Sequence, residues 1–228
     1  DVAVSAECDA EVRRVSIMNM GNRALTIELS SYAEVVLAPQ VSDDAHPAFS
    51  KLFVVTEYVA SIGAILATRR RRTPQEPEVW AAHLAVVEGD SVGAGRFETD
   101  RVRFIGRGRQ LRVPLATAGG PARSGAEGTV LDPIFSLTRC VRVAPGATAR
   151  VSFWTMVASC RDDVLDLVDQ HRDVPAFERA TTLAWTQGQV EFHHLGITSE
   201  EAMLFQRLAS HILYSAAALR PSSDVMLR

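Results

Sequence analysis

The sequence has a single lysine, Lys51, so nearly all of its 24 basic residues are arginine. That bias reads as a coding preference and carries no functional weight. A charge excess is also missing. Against 27 acidic residues the formal net charge is −3 and the pI is about 6.1, so no global field favours nucleic acid or an anionic membrane, and nucleic acid is not an expected partner. Cysteine is scarce: Cys8, Cys140 and Cys160 are odd in number, far apart and without C-x-x-C spacing, which points to buried free thiols and to neither a disulfide framework nor a zinc site. Near the middle, the longest uncharged stretch, Tyr58 to Thr68, is too short to cross a bilayer, and no basic start followed by an apolar run marks a signal peptide. The chain is expected to be soluble. Familiar catalytic motifs are missing too, with no G-x-S-x-G, H-E-x-x-H or P-loop; Gly93-x-Gly95 and Gly106-x-Gly108 do not open a helix. No catalytic residue, metal or cofactor is expected.

What is present is enough for a large core: 228 residues, 47% of them hydrophobic. Val2, Val4 and Ala6 alternate almost from Asp1 onward, so the chain reads as a piece of something longer. Val15 and Ile17, then Leu25, Ile27 and Leu29 beyond a turn at Gly21-Asn22, continue the period of two, which predicts a meander of antiparallel strands. PQVSDDAHP at 39–47 predicts a loop, followed by strands at Leu52 to Glu57 and from about Ala64. Arg69 to Arg72 with the prolines after it predicts a polar hairpin or loop before the strand Val79 to Val87. A glycine-rich irregular region follows over 89–128, including Gly119-Gly120-Pro121. Strands Ile134 to Val143 and Ala149 to Val157, joined at Ala144-Pro145-Gly146-Ala147, read as a closing hairpin.

Beyond residue 158 the period changes. Ser159 with Asp162 resembles a capping box before Val164, Leu165, Leu167 and Val168 at helical spacing. A second helix is predicted from Pro175 to His194, stopping at Gly196. A third starts at Thr198 with Glu201 as its capping box, carries a stripe of Leu204, Leu208, Ile212 and Ser215, and stops at Pro221. Strands first and helices after predict a mainly β fold, an antiparallel sandwich over 1–158 with a helical linker over 159–228.

Most candidate chemistry has a bland competitor. His193 and His194 end a helix and point apart, which suits a C-terminal cap better than a metal. Asp43, Asp44 and His46 could divide acid and base roles, though turn chemistry explains them better. Arg69 to Arg72 could contact phosphate, although a solvated hairpin tip with Glu76 and Glu78 close behind is the commoner home for such a run. FETDRVRFIGRGR at 97–109 is different in density: two aromatics, two carboxylates and four arginines. Arginine forks and carboxylates hold sugar hydroxyls, and aromatic faces stack on pyranose rings, while the same residues also serve salt-bridged loops and interfaces.

The wording of several segments is more specific than their composition. SYAEVVLAPQVSDDAHPAFSKLF at 31–53, EPEVWAAH at 76–83, FETDRVRFIGRGR at 97–109, VLDPIFSL at 130–137 and LAWTQGQVEFHHLGI at 183–197 together resemble the phosphorylase-like part of bacterial cyclic β-1,2-glucan synthases. That part groups with the cellobiose and chitobiose phosphorylases of glycosyltransferase family 36, now glycoside hydrolase family 94. The resemblance covers essentially the whole chain. It implies a galactose mutarotase-like β-supersandwich, then the helical linker, then an (α/α) barrel after Arg228 that would hold the general-acid aspartate and the phosphate site, so no catalytic residue is carried over to this chain. It further implies that the sandwich helps such proteins dimerise and lends loops to the rim of the active site. By position in the motif, Asp100, Arg101, Phe104, Gly106, Arg107 and Arg109 are the residues placed nearest a β-1,2-glucan chain or the barrel. In the parent synthase the resemblance implies UDP-glucose as donor to a separate transferase domain, at the cytoplasmic side of the bacterial inner membrane. An independent carbohydrate-binding module and the sandwich of a disaccharide phosphorylase are the alternatives.

Overall fold

A computed structural model describes residues 1–118, 125–213 and 223–226. Gly119, Gly120, Pro121, Ser215 and Pro221, singled out above, lie outside the described residues. The chain divides into two compact units, Asp1–Thr181 and Thr182–Arg228.

The fold is mainly antiparallel β, as the sequence predicts. In the first unit, β1 (Val2–Val4), β2 (Ala10–Met18), β3 (Leu25–Ser30) and β4 (Ala33–Glu34) are followed by two short helices, α1 (Gln40–Ala45) and α2 (Pro47–Lys51), where 39–47 had predicted a loop. Pro47 at the first helical position is pre-set for α2, which explains why a proline-flanked stretch turns helical. Then come β5 (Val54–Val59), β6 (Ala64–Arg69) and β7 (Trp80–Glu88). The glycine-rich region is less irregular than expected and holds β8 (Asp90–Ser91), β9 (Arg96–Asp100), α3 (Arg101–Ile105) and a 3-10 turn at Leu115–Thr117. β10 (Pro133–Val143), β11 (Thr148–Ala158) and α4 (Arg161–His171) complete it, with the first turns of α5 (Pro175–Leu195).

One sheet has the order β1-β2-β11-β7-β6-β5; in the other, β3 and β4 pair with one side of β10 and β8 and β9 add to it. This overturns two predicted connections. The Gly21-Asn22 region is no meander turn, because β2 and β3 belong to different sheets, and Ala144–Ala147 closes no hairpin, because β10 and β11 do not pair. Both are arches between the sheets, and buried Asn19 ties them together. Its Nδ2 donates to the carbonyls of Arg23 (2.7 Å) and Val143 (2.9 Å), its Oδ1 accepts from Gly21 N (3.0 Å), and its backbone pairs with Ala147 and Gly146.

Ile65, Ala67, Ala81, Ala85, Val151 and Phe153 of the large sheet face Phe135, Leu137, Val141 and Val143 of the small one. Ala64, Leu66, Ala82, Leu84, Trp154 and Met156 face the other way, under Val164 and Val168 of α4 and Ala176, Phe177 and Ala180 of α5. The large sheet is thus covered on both faces, which is why β6 reads as a continuous apolar run. His83, a titratable ring, lies buried between the sheets. Its Nε2 is 2.8 Å from Ser31 Oγ and its Nδ1 3.1 Å from Thr155 Oγ1, and it is stacked between Phe135 and Phe153.

α4 starts on Cys160, whose sulfur accepts from Asp163 N at 3.4 Å, and not on a Ser159–Asp162 capping box; Ser159 Oγ donates to the Asp163 carboxylate instead. The three cysteines are free and half-buried. In the second unit, α5 runs on to Leu195 and is followed by Gly196 at φ +65°. α6 (Ser199–Leu213) opens on the predicted capping box: Thr198 Oγ1 accepts from Glu201 N, and the Glu201 carboxylate accepts from Thr198 N. Leu204, Leu208 and Ile212 are exposed, Ile212 by 79%.

Candidate functional site

β9 delivers Asp100 to the outer face of the small sheet, where its extended backbone stops and α3 begins. The Asp100 carboxylate accepts from Val102 N (2.8 Å) and Arg103 N (3.4 Å), capping two amides that the helix itself leaves unpaired. Gly106, at φ +86°, ends the helix, and a Cβ there would come within 2.8 Å of the Leu115 side chain. Phe104 and Ile105 anchor α3 by packing on Ile134 and Tyr32. Asp100→Ala is expected to cost about 1 kcal/mol of stability through the lost cap, measured as a lower urea midpoint with an unchanged slope.

Arg101 points into a closed charge network. Its Nε donates to Tyr32 OH (3.0 Å) and Glu34 Oε1 (3.0 Å), and its guanidinium lies 3.5 Å from Asp132. Lys51 bridges the same two acids, 2.7 Å from Asp132 Oδ1 and 3.3 Å from Glu34 Oε2, and Tyr32 OH donates to Glu34 (2.9 Å). Two cations thus meet two carboxylates, with no charge left over. Burial would raise the Glu34 carboxyl, but the Tyr32 hydrogen bond and the nearby Lys51 and Arg101 outweigh it and hold the group below its ordinary value. Burial would lower the Lys51 ammonium, but Asp132 and Glu34 raise it; burial and Glu34 together raise the Tyr32 phenol. All three are pushed away from neutral pH, the reverse of what a general acid or base requires. The arrangement is suited to holding a shape.

The structure places the predicted site residues unequally. Asp100 is committed to its cap and Arg101 to the network. Phe104 is only 3% exposed, tilted against Tyr32 at 5.2 Å between ring centroids, so its face is turned to protein and not offered to a pyranose. Phe97 likewise stacks on Tyr58, at 3.9 Å and 12°. Arg107 and Arg109, beyond Gly106, are exposed, and their side chains form no hydrogen bond or ion pair among the described residues. Tyr32, Glu34 and Asp132 were not singled out from the sequence, and Lys51 was noted only as the single lysine with no functional weight, although all four fall in the 31–53 and 130–137 segments on which the resemblance rests. His46 makes no hydrogen bond with Asp43 or Asp44 among the described residues. Nor do three metal-ligating side chains converge among them.

The sequence profile of the glycosyl hydrolase 94 supersandwich domain matches residues 1–174. The chain belongs to the glycosyl hydrolase 94 supersandwich family. All five residues of the network lie in the matched part of this supersandwich. The chain is also similar to the cyclic β-(1,2)-glucan synthase NdvB of Rhizobium meliloti (strain 1021), with 41% identity over 223 residues. That alignment takes in 98% of this chain and 8% of the relative's length. Among the described residues, no helix of this family member is long and apolar enough to cross a membrane.

Proposed function

We propose that this chain is a non-catalytic sandwich and linker of a cyclic β-1,2-glucan synthase, a scaffold that also contacts the glucan for a barrel elsewhere in the polypeptide. The observation that carries this reading is the Tyr32–Glu34–Lys51–Arg101–Asp132 network. Its charges are mutually matched and the Tyr32, Glu34 and Lys51 groups are each pushed away from neutral pH, so it serves as a rigid pedestal for α3 and for the exposed Arg107 and Arg109 beyond it. Planar guanidinium groups held out from such a base can donate to vicinal sugar hydroxyls. The similarity to a protein named a cyclic β-(1,2)-glucan synthase supplies the substrate class. On this reading the apolar residues Leu204, Leu208 and Ile212 of α6 pack on the barrel.

Calorimetric titration of the chain with linear β-1,2-glucan oligosaccharides tests it. Saturable binding is expected, weakened about tenfold by Arg107→Ala, a loss of about 1.4 kcal/mol. Absence of heat at millimolar sugar would leave the chain a scaffold only and remove the glucan contact.

A further inference from the structure

The arginines at the end of β6 differ from most others in the sandwich. Arg14, Arg96, Arg101, Arg103, Arg150 and Arg161 each pair with a carboxylate. Arg69, Arg70, Arg71 and Arg72 form no ion pair among the described residues. Of the acids that follow them in sequence, Glu76 accepts from the backbone amide of Arg72 at 2.7 Å and so sets one carboxylate beside the run, while Glu78 accepts from the indole of Trp80 at 2.7 Å.

Three of these guanidinium groups, those of Arg69, Arg70 and Arg72, are also held in place. Phe49 of α2 and Phe53 meet edge to face at 5.2 Å between centroids. The Arg69 guanidinium lies 5.1 Å from the Phe53 centroid, and that of Arg72 lies 5.6 Å from both rings. Arg69 also donates to the Ser50 carbonyl and Arg70 to the Leu52 carbonyl, so two of the four are tied to the end of α2. Stacking on an aromatic face orients a guanidinium while leaving its in-plane N–H donors free, and carbonyl oxygens satisfy donors without neutralising charge. The result is four cations beside one carboxylate, three of them oriented, with Arg70, Arg71 and Arg72 exposed to solvent. A solvated hairpin tip would need neither the aromatic base nor the carbonyl ties.

We propose that the Arg69–Arg72 turn, seated on Phe49 and Phe53, is a binding face for phosphate groups. Its donors suit the oxygens of a phosphomonoester, a diphosphate or a phosphodiester headgroup, which accept forked N–H pairs and carry charge opposite to the excess on the arginines. The site shares no residue with Arg107 and Arg109 and does not depend on the glucan reading.

The test uses two probes, inorganic pyrophosphate and phosphatidylglycerol vesicles, with phosphatidylcholine vesicles as the uncharged control, at about 50 mM salt where exposed charges are only partly screened. Arg71→Ala/Arg72→Ala is compared with the unchanged chain, and Arg107→Ala/Arg109→Ala serves as a matched loss of two surface charges. Binding of either probe that weakens about tenfold or more in the first variant and less than about twofold in the second is expected. Saturation by pyrophosphate identifies a soluble phosphate ligand; co-sedimentation with the anionic vesicles alone identifies a lipid headgroup. Failure to bind either probe overturns the proposal, as does equal weakening by the two variants, which would mean that only net charge matters. Arg72→Lys, which keeps the charge and loses the fork and the stacking, should also weaken binding, and unchanged affinity in that variant overturns the assignment to an oriented guanidinium.

Discussion

Lowering the pH from 7 to 4 is expected to remove about 3 kcal/mol of stability through His83 alone. The ring is 3% exposed, and burial first of all, opposed by a backbone hydrogen bond at Trp154 and aided by the positive charges of Arg13 and Arg139, lowers its pKa from 6.5 to about 4. Ser31 Oγ, which accepts the Leu137 amide proton at 2.9 Å, and Thr155 Oγ1 flank the ring at 2.8 and 3.1 Å, and each hydroxyl can donate or accept to match either neutral tautomer. The neutral ring satisfies both sheets. Because the folded pKa is the lower one, the unfolded chain takes up the proton first. The contribution is therefore complete above about pH 6.5, falls as the pH drops toward 4, and is constant below that. Glu34 acts in the same direction but lower, since its folded value lies below 4.5. Urea unfolding of the chain and of His83→Gln across this range separates the two. Between pH 6.5 and 4 the unchanged chain should lose about 3 kcal/mol more than the variant, and parallel pH profiles would refute the assignment.

Asn19→Ala should be comparably damaging, at about 3 kcal/mol. Truncation leaves the buried Val143 carbonyl, the Arg23 carbonyl and the Gly21 amide without their side-chain partners, and an unmatched buried polar group costs about 1–3 kcal/mol. Asn19→Asp should be worse, because it keeps the acceptor for Gly21 but sets a carboxylate against two carbonyl oxygens. Chemical denaturation measures both. A loss under about 1 kcal/mol for alanine, or aspartate tolerated better than alanine, would show that the arches hold without this clamp.

Asn19 also marks what the sequence could not disclose. Period-two alternation in β2, β3 and β11 is plain in Val15, Ile17, Leu25, Ile27, Val151 and Phe153, and it says which side chains share a face. It says nothing about which strand lies alongside. Turn residues at Gly21-Asn22 and Ala144–Ala147 suit a hairpin and an arch equally well, so the sheet assignments required contacts such as Asn19 to Val143, 124 residues apart. The ends of α5 and α6 were legible because Gly196, Thr198 and Glu201 act locally. α3 was not, since five residues have no period to detect and are held by Asp100 and by burial on Ile134. In the site, Arg101 stood out in a dense segment, but its partners Tyr32 and Glu34 are 69 and 67 residues away, and Lys51 reaches Asp132 across 81. Phe104 looked like a sugar platform because composition does not distinguish a ring facing solvent from one facing the core.

The scarcity of lysine gives the network a further property. The chain has one ε-amine, and it is 14% exposed with its ammonium shared between Glu34 and Asp132. An acylating reagent can reach that nitrogen only when both contacts open and the proton leaves. The modification rate at Lys51 is therefore a single-site clock for the breathing of the pedestal, readable in the unaltered protein with no engineered label.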